Sequence, residues 1–214
     1  MDYPNFNEEK KLWERGFEVV VGLDEAGRGP LAGPVVAGAV SFKSKIKSQK
    51  LKVFEKLNDS KKLSEKQREE IYEILTNHDD ISWAAGIVSE TVIVRINILE
   101  ASKLAMLHAI DGINLKADFL LLDGNFKIKS EIPQIPIVKG DQKVFSIAAA
   151  SIIAKVTRDR LMQVMHQEYP GYGFDKHKGY GTAMHIASIK KLGPCKIHRK
   201  TFWPVSSLAK TEGI

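Results

Sequence analysis

Short apolar runs, each stopped by glycine or by an acidic residue, recur along the first two thirds of the chain. Such runs are typical of β-strands when they are rich in Val, Ile and Leu and are bounded by turn residues. A continuous apolar run, unlike an alternating one, indicates a strand that is buried on both faces. The pattern predicts strands over residues 17–23, 34–42, 81–88, 118–122 and 135–138.

Apolar residues at helical spacing fill the segments between and after these strands. Ser64 and Gln67 form a capping box, which predicts a helix running to about Thr76. Further helices are predicted over residues 91–113, 144–169 and 182–192. The alternation of strands and helices favours an α/β fold, with a mixed sheet flanked by helices and a small C-terminal helical lobe. We place the catalytic unit at residues 1–170 and the lobe at residues 171–214, packed on that unit.

Composition supports a folded unit of enzyme size. The chain has 214 residues, of which 43% are hydrophobic and 27% charged, so a substantial core is expected and disorder is not. No apolar run approaches the roughly 20 residues that a membrane-spanning helix needs, and the polar start is not typical of a signal peptide. Cys195 is the single cysteine, which excludes an intrachain disulfide and favours a reducing cytoplasm.

Positive charge is concentrated near the C-terminus. Residues 155–200 hold ten Lys or Arg and three acidic residues, a net charge of +7, whereas the whole chain carries +6. A basic face beside a cluster of acids is expected when the substrate is a polyanion. A merely solvated basic surface is the alternative interpretation.

Carboxylates follow three of the predicted strands. Asp24 and Glu25 end the first strand, Asp123 ends the fourth, and Asp141 follows the fifth and begins a helix. Oxygen ligands gathered at one rim of a sheet suit Mg²⁺ or Mn²⁺. Two such ions about 3.5 to 4 Å apart can drive phosphodiester hydrolysis.

These acids also have simpler interpretations. Asp123 before Gly124 is a turn former, and Asp141 is a good helix N-cap. Asp24 and Glu25 raise a geometric difficulty, because neighbouring residues of a regular strand point to opposite faces. Either the strand kinks there, or Glu25 reaches a metal with its longer side chain or its carbonyl.

An arginine between two glycines follows the first acidic pair. Gly27 and Gly29 would let backbone amides approach an anion closely, and the Arg28 guanidinium can fork onto a phosphate. A strand-end turn with a surface arginine is the alternative. The acids immediately before this turn favour the functional interpretation.

Six motifs of the chain resemble those of the bacterial ribonuclease HII family, the type 2 ribonucleases H. They occur in the family's order, and together they are highly specific: GLDEAGRGPLAGPVVAGAV (22–40), NDSKKLS (58–64), LLLDGN (120–125), KGDQKVFSIAAASIIAKVTRDRLM (139–162), YGFDKHKGYGT (172–182) and HRKTF (198–202).

The resemblance implies a ribonuclease H-like sheet and endonucleolytic hydrolysis of the RNA strand of RNA–DNA hybrids. It also implies cleavage on the 5′ side of single ribonucleotides embedded in duplex DNA, leaving 3′-hydroxyl and 5′-phosphate ends. Two Mg²⁺ or Mn²⁺ ions would act per site. The expected roles are removal of ribonucleotides from DNA and of RNA primers.

The resemblance also assigns roles to residues. The metal ligands would be Asp24, Glu25, Asp123 and Asp141. Gly27, Arg28 and Gly29 would recognise the 2′-hydroxyl at the RNA–DNA junction, and Tyr180 would pack on the deoxyribose that follows. The remaining substrate contacts would be Ser60, Lys61, Lys62, His177, Lys178, His198 and Arg199, the last four on the basic face. Asp159 is a rival acid, but Lys155 four residues earlier predicts a surface ion pair instead.

Two other functions share parts of this pattern. A different nuclease or strand transferase of the same fold would have the acids without the glycine–arginine–glycine segment. A non-catalytic RNA-binding protein is supported by the basic third alone. A monomer is expected, without membrane contact. The tail after Ser206 is short and polar, so the sequence leaves a sliding clamp open as a partner without supporting it.

Overall fold

The computed structural model describes residues 3–44, 46 and 63–208. Its centre is a five-stranded mixed sheet in the order β3-β2-β1-β4-β5. The pairs β3–β2 and β2–β1 are antiparallel, whereas β1–β4 and β4–β5 are parallel. This arrangement confirms the predicted mixed sheet. The strands are β1 (Val20–Ala26), β2 (Val35–Phe42), β3 (Ile81–Val88), β4 (Phe119–Asp123) and β5 (Gln134–Ile137).

The predicted strands are found, with shifts at their ends. The largest shift is in β1, which begins at Val20 and continues through Ala26, because Ala26 still pairs with Val36 of β2. Phe17 was expected inside that strand. Its ring instead packs edge-on against Phe119, with the ring centroids 4.9 Å apart.

Helices cover the sheet and form the C-terminal lobe. The capping box at Ser64 is confirmed, since its side chain accepts from the Gln67 amide and Gln67 reaches back to the Ser64 amide. The helices are α1 (Asn7–Glu14), α2 (Glu65–Asn77), α3 (Glu90–Ile96), α4 (Ile98–Gly112), α5 (Phe145–Glu168), α6 (Phe174–His177), α7 (Ala183–Leu192) and α8 (Val205–Leu208), with 3₁₀ turns at Gly140–Gln142 and Pro170–Tyr172.

The single helix predicted over residues 91–113 is wrong. Asn97 breaks it into α3 and α4, with a φ of 67° in the left-handed region. The Asn97 side chain then accepts hydrogen bonds from the Leu99 and Glu100 amides and caps α4. Asparagine suits both tasks, since it tolerates positive φ and is a strong N-cap.

Two long helices pack on opposite faces of the sheet. On one face, α5 lies against β1 and β2 at glycines: a Cβ on Gly22 would overlap the backbone of Ser146, and one on Gly38 would overlap the Ala150 carbonyl. On the other face, α4 approaches β3 at Gly86 in the same way. Small residues therefore let both helices sit close to the sheet.

The C-terminal helices share a core with the rest of the chain. Leu31 and Ala32, after β1, and Met162 of α5 join Phe174, Ile189 and other lobe residues in one buried apolar cluster. This packing is in keeping with the predicted position of the lobe, and its boundary at residue 170 stays a prediction. In the described ranges, no helix combines the length and apolar character that crossing a membrane requires.

Candidate active site

Two carboxylates meet where neighbouring parallel strands end. Leu23 of β1 lies opposite Leu122 of β4, so the next residues, Asp24 and Asp123, occupy adjacent positions at the carboxyl edge of the sheet. Both strands enter this edge as buried apolar runs. The sequence pattern alone had predicted this juxtaposition.

Asp141 reaches the same edge of the sheet from the β5 side of β4. It lies in the 3₁₀ turn after β5, and this turn is tied to the sheet because Asp123 Oδ1 accepts a hydrogen bond of 2.6 Å from the Gly140 amide. The helix that Asp141 was expected to begin is this short 3₁₀ turn, and the long helix α5 starts later, with Val144 as its N-cap. The short turn carries the carboxylate back toward the carboxyl edge of β4.

Asp24 and Glu25 lie on a regular strand. Both pair with β2, at Gly38 and Ala37, so β1 does not kink and their side chains start on opposite faces. The Glu25 side chain reaches Arg28, whose Nη1 lies 3.1 Å from Oε1. The kinked strand is therefore excluded. Glu25 could reach a metal only with its longer side chain or with its carbonyl.

The four acids interact electrostatically through Asp24. Burial raises the pKa of Asp24 well above its ordinary value, and repulsion from Glu25, Asp123 and Asp141 raises it further. Burial likewise raises the pKa of Glu25, an effect that Arg28 opposes. Clustered carboxylates with raised pKa values are a common sign of a functional site.

The donor set fits a divalent cation. Glu25 Oε2 is buried and has no hydrogen-bond partner among the residues that the structure describes, while the neighbouring Asp24 is buried among negative charges. Both features are costly unless a cation compensates them. Within the described ranges no three His, Cys, Asp or Glu side chains are already arranged as a ligand set.

A loop after β1 presents donors to this site. Gly27 has a φ of 100°, and a Cβ there would overlap the Arg158 side chain, so only glycine fits. In the described part of the chain, the amides of Arg28 and Gly29 donate to no acceptor. The carbonyls of Gly27, Arg28 and residues 31–34, in contrast, accept hydrogen bonds.

Two buried arginines occupy those carbonyls. Arg199 donates to the carbonyls of Gly27 (2.6 Å), Arg28 (3.0 Å) and Gly33 (2.9 Å). Arg158 of α5 donates to those of Ala32, Pro34 and Lys178. Carbonyls turned toward the arginines leave the opposite edge of the loop free to donate.

The placement of Arg199 on the basic face is therefore wrong. Its side chain is completely buried, and its hydrogen bonds go to the protein backbone. Burial lowers its pKa to about 9, and repulsion from Arg158 contributes. An Arg199 so engaged supports the loop from beneath and cannot reach a phosphate.

His177, Lys178 and His198 are buried as well, which contradicts their placement on a basic face. Lys178 Nζ donates to the Asp175 carbonyl, and the His177 ring contacts the Tyr172 carbonyl at 2.8 Å. The predicted contacts Ser60, Lys61 and Lys62 lie outside the described residues.

Tyr180, Arg68 and Lys155 line the same cleft as three of the four acids, Asp24, Glu25 and Asp141. The cleft has a volume of about 500 Å³. Tyr180 is 43% exposed, and its ring edge lies 3.8 Å from the place a Cβ on Gly29 would take. Arg68 and Lys155 were not predicted as lining residues, although Arg68 lies just after the motif NDSKKLS and Lys155 lies within the predicted long helix. The lining comprises Asp24, Glu25, residues 26–29, Arg68, Asp141, Ser151, Ile152, Lys155 and Tyr180.

Asp159 is not part of the acid cluster. Its carboxylate lies 2.7 Å from Lys155 Nζ, which confirms the predicted ion pair, although Asp159 is buried and the pair is not fully on the surface as expected. The pair also places Lys155 at the wall of the cleft.

Comparison with known proteins agrees with this geometry. Residues 21–205 match the family model of ribonuclease HII. Ribonuclease HII of Chlamydia caviae is 52% identical over 92% of this chain and 90% of its own length, and that of Chlamydia trachomatis serovar L2 is 52% identical over 96% and 91%. The crystal structure of ribonuclease H2 from Pyrococcus horikoshii superimposes with a TM-score of 0.73 at 28% identity, covering 90% of this chain and 98% of that one.

Proposed function

Since the chain belongs to the ribonuclease HII family, and is therefore a ribonuclease H that acts on RNA–DNA hybrids, we propose that it also cleaves duplex DNA at single embedded ribonucleotides. Cleavage would fall on the 5′ side of the ribonucleotide and leave 3′-hydroxyl and 5′-phosphate ends. The cell would use this activity to remove ribonucleotides and RNA primers from DNA.

The observation that carries the mechanism is the cluster of four acids around the buried Asp24. Asp24, Glu25, Asp123 and Asp141 would hold two divalent cations, Mg²⁺ or Mn²⁺. When bound, these ions supply an activated water and stabilise the leaving oxygen of the phosphodiester. The Gly140 amide fixes the Asp123 carboxylate, and Arg28 holds one oxygen of Glu25 while the other stays unpaired.

The glycine–arginine–glycine loop would read the ribose. Its free amides at Arg28 and Gly29 are donors suited to the oxygen of a 2′-hydroxyl, a group that distinguishes RNA from DNA. Arg158 and Arg199 support this role, because they hold the loop carbonyls away from the cleft.

Tyr180 would read the sugar on the other side of the junction. Its half-exposed ring stands beside Gly29, so one nucleotide step could span both contacts. An apolar ring face accepts a deoxyribose that lacks the 2′-oxygen. Selection for an RNA–DNA junction would then need no base-specific contact.

Phosphates of the duplex would meet the basic wall of the cleft. Arg68 and Lys155 are the described side chains placed for this, and the family resemblance adds Ser60, Lys61 and Lys62. Residues 1–170 would then supply the chemistry and residues 171–214 the junction contact at Tyr180. We also propose a monomer in a reducing compartment, in keeping with the single Cys195.

The test compares three duplexes of one sequence: all DNA, DNA with one ribonucleotide, and a full RNA–DNA hybrid. With Mg²⁺ or Mn²⁺ we expect cleavage of the second and third, and with EDTA cleavage of none. End-labelling should place the cut 5′ to the ribonucleotide, with a 3′-hydroxyl that a polymerase can extend. Cleavage of the hybrid alone would disprove the proposed activity on single ribonucleotides.

A further inference from the structure

Three buried histidines lie directly beneath the Tyr180 loop, which comprises residues 178–182. His177 and His185 are stacked, with ring centroids 4.3 Å apart, and His185 Nε2 lies 3.0 Å from His198 Nε2. His185 is completely buried and His198 nearly so. Neither the acids nor the arginine-held loop uses these rings, so their role needs a separate account.

The partners of each ring fix where its proton lies. His185 Nδ1 is 2.9 Å from the Tyr180 carbonyl, which can only accept, so Nδ1 carries the hydrogen. In a neutral ring Nε2 is then an acceptor, and His198 must donate to it from its own Nε2. That leaves His198 Nδ1 unprotonated, and it accepts from the Cys195 amide at 2.9 Å.

The hydrogen bonds therefore run in one direction. They lead from the Cys195 amide to His198, from His198 to His185, and from His185 to the Tyr180 carbonyl. We propose that His185 and His198 are positioning residues for junction recognition: this histidine relay fixes the backbone of Tyr180 and so sets where its ring meets the substrate. The inference rests on the proposed function of Tyr180.

This direction of the hydrogen bonds requires neutral imidazole rings, and burial keeps both rings neutral. Burial lowers the pKa of His185 to about 4, and burial together with repulsion from His185 lowers that of His198 to about 4. Burial also raises the pKa of the Cys195 thiol to about 11, so no thiolate sits beside His198 Nδ1. The relay is thus uncharged near neutral pH.

The Tyr180 ring is half-exposed and borders the cleft. It is 43% exposed, and the Arg158 guanidinium lies 5.9 Å from its centroid. Its position is therefore set mainly by the backbone, which turns at Gly179 with a φ of 85°. His177 holds the same turn, because its Nδ1 accepts from the Gly179 amide at 3.2 Å.

The experiment exploits the fact that asparagine and glutamine each imitate one ring nitrogen of histidine. His185→Asn keeps a donor near the position of Nδ1 for the Tyr180 carbonyl, whereas His185→Leu removes it. His198→Gln keeps a donor near the position of Nε2 for His185, whereas His198→Leu removes it. His108→Asn, on the exposed face of α4, is the control.

The readout is the ratio of kcat/KM on the single-ribonucleotide duplex to kcat/KM on the full hybrid. We expect His185→Leu to lower this ratio about tenfold or more through kcat, because small displacements of a positioned group cost much rate. His185→Asn should recover most of the ratio. A merely structural role would lower both activities in proportion to the folded fraction, and an unchanged ratio in His185→Leu would overturn the proposal.

Two further measurements keep the result decisive. If His185→Leu does not fold, the His198→Gln and His198→Leu pair is compared by the same ratio. Histidine ¹⁵N NMR of the wild type at pH 7 should show His185 protonated at Nδ1 and His198 at Nε2, and the reverse pattern would disprove the relay. Failure of the wild type to cleave the single-ribonucleotide duplex would overturn the proposed function, while the NMR result would still decide the relay.

Discussion

The Arg199 guanidinium donates a 2.6 Å hydrogen bond to the carbonyl of Gly27, a residue 172 positions earlier in the chain. A family motif near the C-terminus is thereby joined to the loop that follows the first strand. The contact explains why so buried a cation lies beside the site. Its role is to shape the loop, and we propose that the substrate meets the loop's other edge.

Replacing Arg199 should therefore reduce the stability of the protein and its recognition of an RNA–DNA junction. It should have less effect on the electrostatic attraction to phosphates. Arg199→Ala leaves several buried carbonyls without a donor, which costs about 3 kcal/mol of unfolding free energy or more. Chemical denaturation measures this loss, with the exposed Arg95→Ala as control. A variant as stable as the wild type would contradict the role.

Salt dependence should instead follow the cleft-lining cations. Arg68→Ala should reduce the slope of log affinity against log salt by about one, as expected when one phosphate contact is lost. Arg160→Ala is the matched control, since Arg160 already pairs with Glu69 and Glu73. Equal slopes in all three proteins would show that Arg68 touches no phosphate.

Asp123→Asn should separate binding from chemistry. The asparagine oxygen can still accept from the Gly140 amide, so the local fold is kept while one negative ligand is lost. We expect substrate affinity within a few-fold of wild type and hydrolysis lower by several orders of magnitude in Mg²⁺. The exposed Asp111→Asn controls for loss of charge. Near-normal cleavage by Asp123→Asn would remove Asp123 from the metal site.

Tyr180→Ala should damage the cleavage of one embedded ribonucleotide more than that of four. Without the ring the scissile phosphate loses alignment, and about 1 Å of displacement can cost on the order of 100-fold in rate. Tyr180→Phe should retain more activity, since the ring stays. Cleavage rates on both duplexes are compared with those of Tyr3→Ala, an exposed tyrosine outside the cleft. Wild-type rates in Tyr180→Ala would remove Tyr180 from the site.

The raised pKa of Glu9 predicts that the stability of the protein depends on pH. The Glu9 carboxylate accepts from the Ser146 amide at the start of α5, and burial raises its pKa from 4.5 to about 7. The folded state thus binds more protons than the unfolded state between these values, so this residue's contribution to unfolding free energy falls as pH rises from about 4.5 to 7.

Glu9→Gln should remove that fall while keeping the acceptor for Ser146. Relative to wild type, the variant should gain stability between pH 5 and 7.5, by up to about 3 kcal/mol. Glu8→Gln, on the exposed side of the same helix, should show no such gain. Parallel pH profiles for wild type and Glu9→Gln would contradict the raised pKa.

Local patterns predicted elements well where one signal dominates. The strand 81–88 has the predicted limits because its apolar run is bounded on both sides, and the helix after Ser64 begins where its capping box lies. Asn97 was missed, since an asparagine within an apolar helical pattern does not reveal that it will take a positive φ and cap a second helix.

The site was predictable where residues lie at strand ends and not where distant segments meet. Asp24 and Asp123 were expected at one rim of the sheet because each follows an apolar run that predicts a strand. The burial of Arg199 depends on a bridge between Ala32 and His198, which no local pattern contains. Charge visible in the sequence does not tell whether a guanidinium will meet a phosphate or a backbone carbonyl.

The glycines that seat α5 on the sheet also influence the width of the cleft. Gly38 touches α5 at Ala150, and Ser151 and Lys155 of the same helix form one wall of the cleft, whose other wall begins at Asp24 beside that strand. Because Gly38 has only a hydrogen atom in place of a side chain, α5 lies close to β2. This contact thus sets the distance between the two walls of the cleft. A methyl group there would push the helix outward and open the cleft to wider substrates, at the expense of the grip that holds a phosphate over the acids.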